Sequence, residues 1–310
     1  MKIAILGASS QIAKDLITSF ALHTDYACTL FVRNRLSMQE WVSAMPCANN
    51  YALLNYPEFN HRDHYDVILN FVGIGDPARA QQMGSVIFDV TFQYDRMVLD
   101  YLQYNPSTRY IFLSSGAVYG GDFAQPVSTD SVAILPLNNL TAANWYAIAK
   151  LYAEARHRAL FERCITDVRV FNYFSHTQDL SARFLITDLL RALTQGQTFI
   201  TTAQNIVRDF VTPADFFNLI ECIMRAPAAN QVVDVYTRAP VDKFTLLQTL
   251  QDQYGLDYEV SSSGNNVNAT GAKMNYYSLN KAAQQLGYRA QKTSLEGVLD
   301  EIAQLGFGGC

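Results

Sequence analysis

Short runs of unbroken apolar residues, each followed by a stretch of helical periodicity, constrain this chain more than any other feature. Lys2 to Leu6, Cys28 to Arg33, Asp66 to Val72, Arg109 to Ser114 and Asp167 to Phe171 each read as a strand. These runs do not alternate apolar with polar residues, so both faces must be covered. Between them, Gln11 to Leu22, Ser85 to Tyr104 and Asn144 to Glu162 repeat their apolar residues at helical spacing. Strands of this kind alternating with helices predict an α/β fold built on a doubly wound parallel sheet.

The second half is patterned differently. Helices are predicted at Ser181–Gln195, Pro213–Arg225 and Phe244–Tyr254, and short strands near Phe199–Thr202 and Val232–Tyr236. Ser261 to Gly271 is polar and rich in glycine and asparagine, which reads as a loop. The expected division is residues 1–173 for the sheet domain, with a return segment near 205–237, and 174–310 for a smaller α/β C-terminal region that binds substrate.

A length of 310 residues, 49% hydrophobic and 16% charged, supports real cores and excludes a disordered chain. The net charge of −5 and the lack of a basic run argue against nucleic acid and anionic membrane as partners. The run before Gly7 is too short for a signal peptide, and no stretch is long enough to span a bilayer. Cys28, Cys47, Cys164, Cys222 and Cys310 are odd in number and scattered, as expected of reduced thiols in the cytoplasm.

Several motifs carry chemistry. Strand, Gly7-Ala8-Ser9-Ser10 turn and helix form a dinucleotide-binding arrangement, in which Gly7, Ser10, Gln11 and Ile12 meet the pyrophosphate at the helix N-terminus. The glycine fingerprint is incomplete: Ser10 and Ala13 stand at the next two positions, both small enough for close backbone approach. Beyond the second strand comes Arg33-Asn34-Arg35, with no carboxylate to take a ribose hydroxyl. Arginine there suits a 2′-phosphate, which favours NADP(H) over NAD, although both arginines also read as solvated loop residues.

Tyr146 and Lys150 share a helix face at i and i+4. A nearby ammonium favours the phenolate, lowers the tyrosine pKa from about 10, and fits the phenol for proton exchange with an alcohol or ketone. Such a pair is usually a surface contact, and its weight comes from the motifs around it. His61-Arg62-Asp63-His64 has no further ligands spaced to match, so no metal site is expected. His176 is open between a substrate-facing and a surface position.

Together these residues resemble the extended short-chain dehydrogenase/reductase family, the NAD-dependent epimerase/dehydratases that act on nucleotide sugars. The resemblance rests on Phe112 to Gly120, Tyr146 to Lys150, Arg208-Asp209-Phe210-Val211-Thr212-Pro213-Ala214-Asp215, and the terminal Tyr277-Ser278-Leu279-Asn280-Lys281, Leu286-Gly287-Tyr288 and Ser294-Leu295-Glu296. It implies a Rossmann fold. It also implies roles: Ser115 as the catalytic serine, Tyr146 as acid/base, and Lys150 as its tuner and nicotinamide-ribose ligand. Phe71-Val72-Gly73 would pass beside the cofactor, Phe171 would line the nicotinamide, Asn172 would touch substrate, and Arg208 would pair with the diphosphate. Arg208 also reads as a structural ion pair with Asp209 or Asp215. The family's second substrate arginine has no clear counterpart from Gly271 to Tyr277, and its adenine-side carboxylate is not evident near Leu53-Leu54-Asn55. A homodimer through a four-helix bundle of Ser85–Tyr104 and Asn144–Glu162 is implied as well.

Family dehydratases carry Asp-Glu after the catalytic threonine, where this chain has Gly116-Ala117. The groups for eliminating water are therefore missing. The expected activity is NADPH-dependent reduction of a nucleotide-linked 4-keto-6-deoxysugar. The alternatives are a 4-epimerase with tightly bound NAD, and a non-catalytic NADP(H)-binding sensor or scaffold on the same fold.

Overall fold

The computed structural model describes residues 1–45, 50–73, 82–121, 123–261 and 273–307. The first part contains β1 (Lys2–Leu6), α1 (Gln11–His23), β2 (Ala27–Val32), α2 (Arg35–Ser43), β3 (Tyr51–Asn55), β4 (Val67–Asn70) and α3 (Val86–Tyr104). There follow β5 (Arg109–Ser115), α4 (Ala142–Ala159), β6 (Ile165–Val170), β7 (Asn172–Tyr173), α5 (Leu185–Gln195) and β8 (Phe199–Thr202). Next come β9 (Val207–Arg208), β10 (Phe210–Val211), α6 (Pro213–Arg225), β11 (Gln231–Asp234) and β12 (Val241–Asp242). The chain closes with α7 (Lys243–Tyr254), β13 (Tyr258–Ser261), β14 (Asn275–Tyr276) and α8 (Ser294–Gln304).

Seven parallel strands form the main sheet in the order β11-β6-β5-β4-β1-β2-β3. β1 lies between β2 and β4, so the winding direction reverses there and a crevice opens at the strands' C-terminal ends. Ile3, Ile5, Leu30, Leu69, Ile111 and Val168 pack on one face, while Ala4, Leu6, Phe31, Ile68, Tyr110 and Phe112 pack on the other. Burial on both sides is why these strands read as unbroken apolar runs. Of residues 205–237, β11 joins this sheet and α6 packs on it, whereas β9 pairs with the later β12 and β14 and β10 with the earlier β7. A separate core gathers Phe174, Leu189, Leu190, Leu247, Val298 and Ile302.

Among the elements not expected, two belong to the first part of the chain, α2 and β3. α2 buries only Met38 and Val42, too little for a clear periodic signal. β3 lies at the sheet's edge, where of its five residues only Leu53 is buried. α4 starts earlier than expected because Thr141 and Asn144 cap it reciprocally, with Thr141 N donating to Asn144 Oδ1 at 2.9 Å. α5 starts later, because Asp179 accepts from Ser181 N and Oγ and holds that stretch in a turn. No described helix is long and apolar enough to cross a membrane. Most of the predicted Ser261–Gly271 loop, along with Cys47 and Cys310, lies outside the described residues.

Candidate active site

The crevice is lined first by backbone. Gly7 has φ +73°, and a Cβ there would stand 2.8 Å from Phe71 C and Val72 N. Only glycine allows the β1 turn to cross so close to the strand-β4 loop. The N-terminus of α1 opens from this turn with free N–H groups and a partial positive charge. Ser10 caps that helix, its Oγ accepting from Ala13 N at 3.4 Å, and the Gln11 amide donates to Asp15 Oδ1 at 3.1 Å. Ile12 packs partly buried against the sheet core. This cradle fits the pyrophosphate of a dinucleotide.

The basic segment after β2 divides its roles. Asn34 Oδ1 accepts from Leu36 N and Ser37 N and so caps α2. Arg35 pairs with Glu58 at 3.6 Å. Arg33 is exposed and forms no ion pair among the described residues. Tyr56, which the sequence reading missed, lies close by. Its hydroxyl accepts from Gly7 N at 3.0 Å, its ring packs on Tyr94 at 4.5 Å, and burial raises its pKa to about 12.

At the end of β5 the two serines part, since neighbouring strand residues face opposite ways. Ser114 Oγ donates to buried Glu154, which also binds Arg169. Ser115 Oγ accepts from Ala117 N at 3.1 Å, lies 3.4 Å from Tyr276 Oη, and stands near enough to Tyr146 to favour its phenolate. The fold thus brings Ser115 and Tyr146 together.

Lys150 is 3% exposed. Its Nζ donates to Leu113 O at 2.7 Å and sits 4.3 Å from the centre of the Phe112 ring. Burial lowers its pKa to about 8, against the opposing pull of Asp95, Asp167 and Glu154. A Cβ on Gly73 would come within 3.2 Å of that Nζ, so Gly73 leaves room for the ammonium. The expected depression of Tyr146 is not produced by the protein's own groups. Burial raises that phenol, and among the described residues only Ser115 opposes it.

A second cluster faces Ser115 from the late part of the chain. Arg208, on β9, is 3% exposed. Its Nη1 donates to the carbonyls of Val207 and Lys273, at 2.8 and 2.9 Å, while its buried Nη2 has no partner among the described residues. Burial lowers Arg208 to about 10, and burial with Arg208's charge lowers Lys273 to about 8. Asp209 instead holds Thr237, and Asp215 accepts from Gln291 N. Arg208 is thus not the alternative ion pair with either carboxylate. Lys273 supplies a cation in the stretch that lacked a recognisable arginine.

The wall between the two clusters is aromatic. Phe171 is 7% exposed, packed against Tyr119 at 6.2 Å and Tyr276 at 5.2 Å. A Cβ on Gly116 would meet the Phe171 ring at 2.3 Å. Asn172 was expected at substrate, yet its amide donates to Tyr276 O at 3.1 Å and braces that strand. His176 binds Glu301 through Nδ1 at 2.7 Å. His61 stacks on Tyr104 and His64 pairs with Asp66. No group of metal-ligating side chains occurs among the described residues. Lys273, Tyr276 and Tyr56 escaped the sequence reading because strand pairing, not spacing, brings them to the site. Tyr276 aligns with Arg208 across β14 and β9.

A sequence model described as the NAD dependent epimerase/dehydratase family matches residues 3–239. The fold is shared with solved nucleotide-sugar enzymes. The UDP-glucuronic acid 4-epimerase of Bacillus cereus, solved with UDP-glucuronic acid and NAD, superposes with a TM-score of 0.76 at 13% identity, over 99% of each chain. The dTDP-glucose 4,6-dehydratase of Bacillus anthracis, solved with NAD, gives 0.76 at 15% identity, over 99% of this chain and 96% of that one. The UDP-N-acetylglucosamine 4-epimerase of Methanobrevibacter ruminantium, solved with UDP-N-acetylmuramic acid, gives 0.74 at 16% identity, over 98% of each. No curated protein matches by sequence.

Proposed function

The chain belongs to the NAD-dependent epimerase/dehydratase family, and from that membership we propose that it reduces a nucleotide-linked 4-keto-6-deoxysugar with NADPH. The observation that carries the reading is the buried Arg208 beside Lys273, two cations on which no carboxylate acts among the described residues. Buried charge without a counter-ion is costly, and a bound diphosphate would supply the missing charge. The cation pair adjoins Tyr276, and Tyr276 adjoins Ser115, so an anchored nucleotide would present its sugar to Tyr146.

The chemistry then follows from the side chains. When bound, the nicotinamide supplies hydride to the keto carbon. Ser115 donates a hydrogen bond to the carbonyl oxygen, and Tyr146 gives that oxygen its proton, so the ketone gains one hydride and one proton. Tyr146 starts protonated, since burial raises its pKa, and in that form it is an acid. Lys150 holds its ammonium beside the bare Gly73, where a nicotinamide ribose would lie. Phe71 and Val72 border the same space, and Phe171 backs it.

Two observations support reduction over the family's other reactions. The Phe171 ring occupies the space that an acidic side chain at position 116 would need, which argues against dehydration. Arg33 lies free at the end of β2, suited to a 2′-phosphate and hence to NADPH. We further infer a homodimer in which α3 and α4 pair with their copies, since Phe92 and Tyr152 are exposed there beside Arg156.

The test is to incubate the protein with NADPH and dTDP-, GDP-, CDP- and UDP-linked 4-keto-6-deoxysugars. Loss of the reduced-nicotinamide absorption with one of them is the expected result. Co-purified NAD, with interconverting hexose epimers and no NADPH consumption, would replace this reading with the 4-epimerase one. Stoichiometric NADPH binding without any turnover would leave a sensor or scaffold.

A further inference from the structure

We propose that Tyr276 is a positioning residue that acts through Ser115, occupying one acceptor site on its hydroxyl so that the serine hydrogen must point at the reacting oxygen. The inference rests on the reading of Ser115 and Tyr146 as the reacting pair, and adds a third hydroxyl to it.

The argument is one of hydrogen-bond counting. A serine hydroxyl has one hydrogen to give and two lone pairs to fill. Ala117 N–H fills one lone pair at 3.1 Å. Tyr276 Oη lies 3.4 Å from the same oxygen, where either atom could donate. Tyr276 is 4% exposed, and burial raises its pKa, so it keeps its hydrogen across the working range of pH. A buried hydroxyl hydrogen needs an acceptor, and among the described residues Ser115 Oγ is its hydrogen-bond partner. With both lone pairs filled, Ser115 can act only as a donor. Its hydrogen is then free for Tyr146 Oη, or for a substrate oxygen that comes between them.

The surroundings hold Tyr276 firmly in this role. Its ring meets Phe123 edge-on at 4.8 Å and Phe171 at 5.2 Å, and Lys273 Nζ lies 4.2 Å from its centre. Asn172 anchors its carbonyl at 3.1 Å. On either side, Asn275 N donates to Phe123 O at 2.9 Å and Leu279 N to Val127 O at 2.7 Å. Phe123 itself has φ +54°, a conformation that a bulky residue adopts only where its surroundings impose it. Simple core filling would not require a hydroxyl aimed at Ser115.

The experiment uses the full chain labelled with 3-fluorotyrosine, in four forms: wild type, Tyr276→Phe, Ser115→Ala and the double variant. The fluorine resonance of Tyr146, identified by its loss in Tyr146→Phe, is titrated with pH. Tyr276→Phe should raise the Tyr146 midpoint by about half a unit, because the freed serine donates less steadily to the phenolate. In the Ser115→Ala background the same change should move nothing, because the intermediary is gone. Where a keto sugar is turned over, kcat should fall about tenfold with KM little changed, the size of one lost hydrogen bond to a charged group. An unmoved midpoint in a normally folded Tyr276→Phe protein overturns the proposal, and so does an equal shift in both backgrounds. The titration needs no substrate, so it decides this proposal even if no 4-keto sugar is reduced.

Discussion

Two of the places where the molecule buries charge treat it differently. Behind the sheet, His157 lies between two carboxylates, Nε2 on Asp95 at 2.7 Å and Nδ1 on Asp167 at 2.6 Å. Arg156 takes the other oxygen of Asp95 at 2.7 Å and Arg158 that of Asp167 at 2.8 Å. The ring and both carboxylates are fully buried, and Tyr110 and Asn70 extend the network to Val72 N beside the cofactor cradle. Around Arg208 and Lys273, by contrast, burial comes without counter-charge among the described residues. The first arrangement finds its counter-charges within the chain. The second is the basis on which an anion-binding role is proposed for it.

That contrast can be broken most forcefully at Asp95. Asp95→Ala should cost about 3–5 kcal/mol of stability by stranding a buried charge, read as a lower denaturant midpoint. A loss below about 1 kcal/mol would mean that the network does not hold the fold. Arg208→Ala should act in the opposite sense. We expect thermal stability to be kept or raised, while affinity for a nucleoside-diphosphate sugar falls by about 2–4 kcal/mol in calorimetry. A protein that melts early yet binds normally would make Arg208 structural.

A gentler probe is pH. Burial opposes a charge on His157, but Asp167 and Asp95 raise its pKa from 6.5 to about 9. Its contribution is therefore fully present below 6.5 and lost as pH rises through 9. Lys273 has the reverse sign: its pKa falls from 10.5 to about 8, so its burial penalty is full below 8 and fades as pH climbs towards 10.5. Chemical denaturation at a series of pH values should show stability falling from about 6.5 to 9, with the fall becoming steeper in Lys273→Met. Affinity for the diphosphate should weaken above pH 8 as Lys273 loses its proton, with proton uptake on binding. The smallest effect is expected at Arg33→Ala, which should narrow any NADPH-over-NAD preference by about tenfold, the worth of one charge-assisted contact.

How far such features could be read from sequence depended on whether they are local. β1, β4 and β5 announce themselves because both faces are buried, and Tyr146, Lys150 and Ser115 because each sits in a short motif. α2 and β3 stay hidden because edge elements bury little and carry weak patterns. The Arg208–Lys273 pair joins residues far apart in the chain through β9 and β14, and no spacing rule reaches that far. Asn172 was expected to touch substrate, and its amide holds the Tyr276 carbonyl. Whether a polar group faces ligand or scaffold depends on neighbours that only tertiary structure supplies. Of the two arginines beyond β2, the sequence favoured Arg33 for a phosphate, and Arg35 is the one that pairs with Glu58.

Gly116 beneath Phe171 also bears on this chain's history and prospects. A carboxylate acquired at position 116 would be driven into an aromatic ring close to its backbone root, where the ring cannot simply swing aside. A smaller residue at 171 must therefore come first or together with it, and taken alone that step leaves a void between Tyr119 and Tyr276. Each single change is disfavoured without the other. Drift towards an eliminating enzyme is thus blocked by order of events as well as by missing groups, and a designer attempting the conversion would have to alter both positions at once.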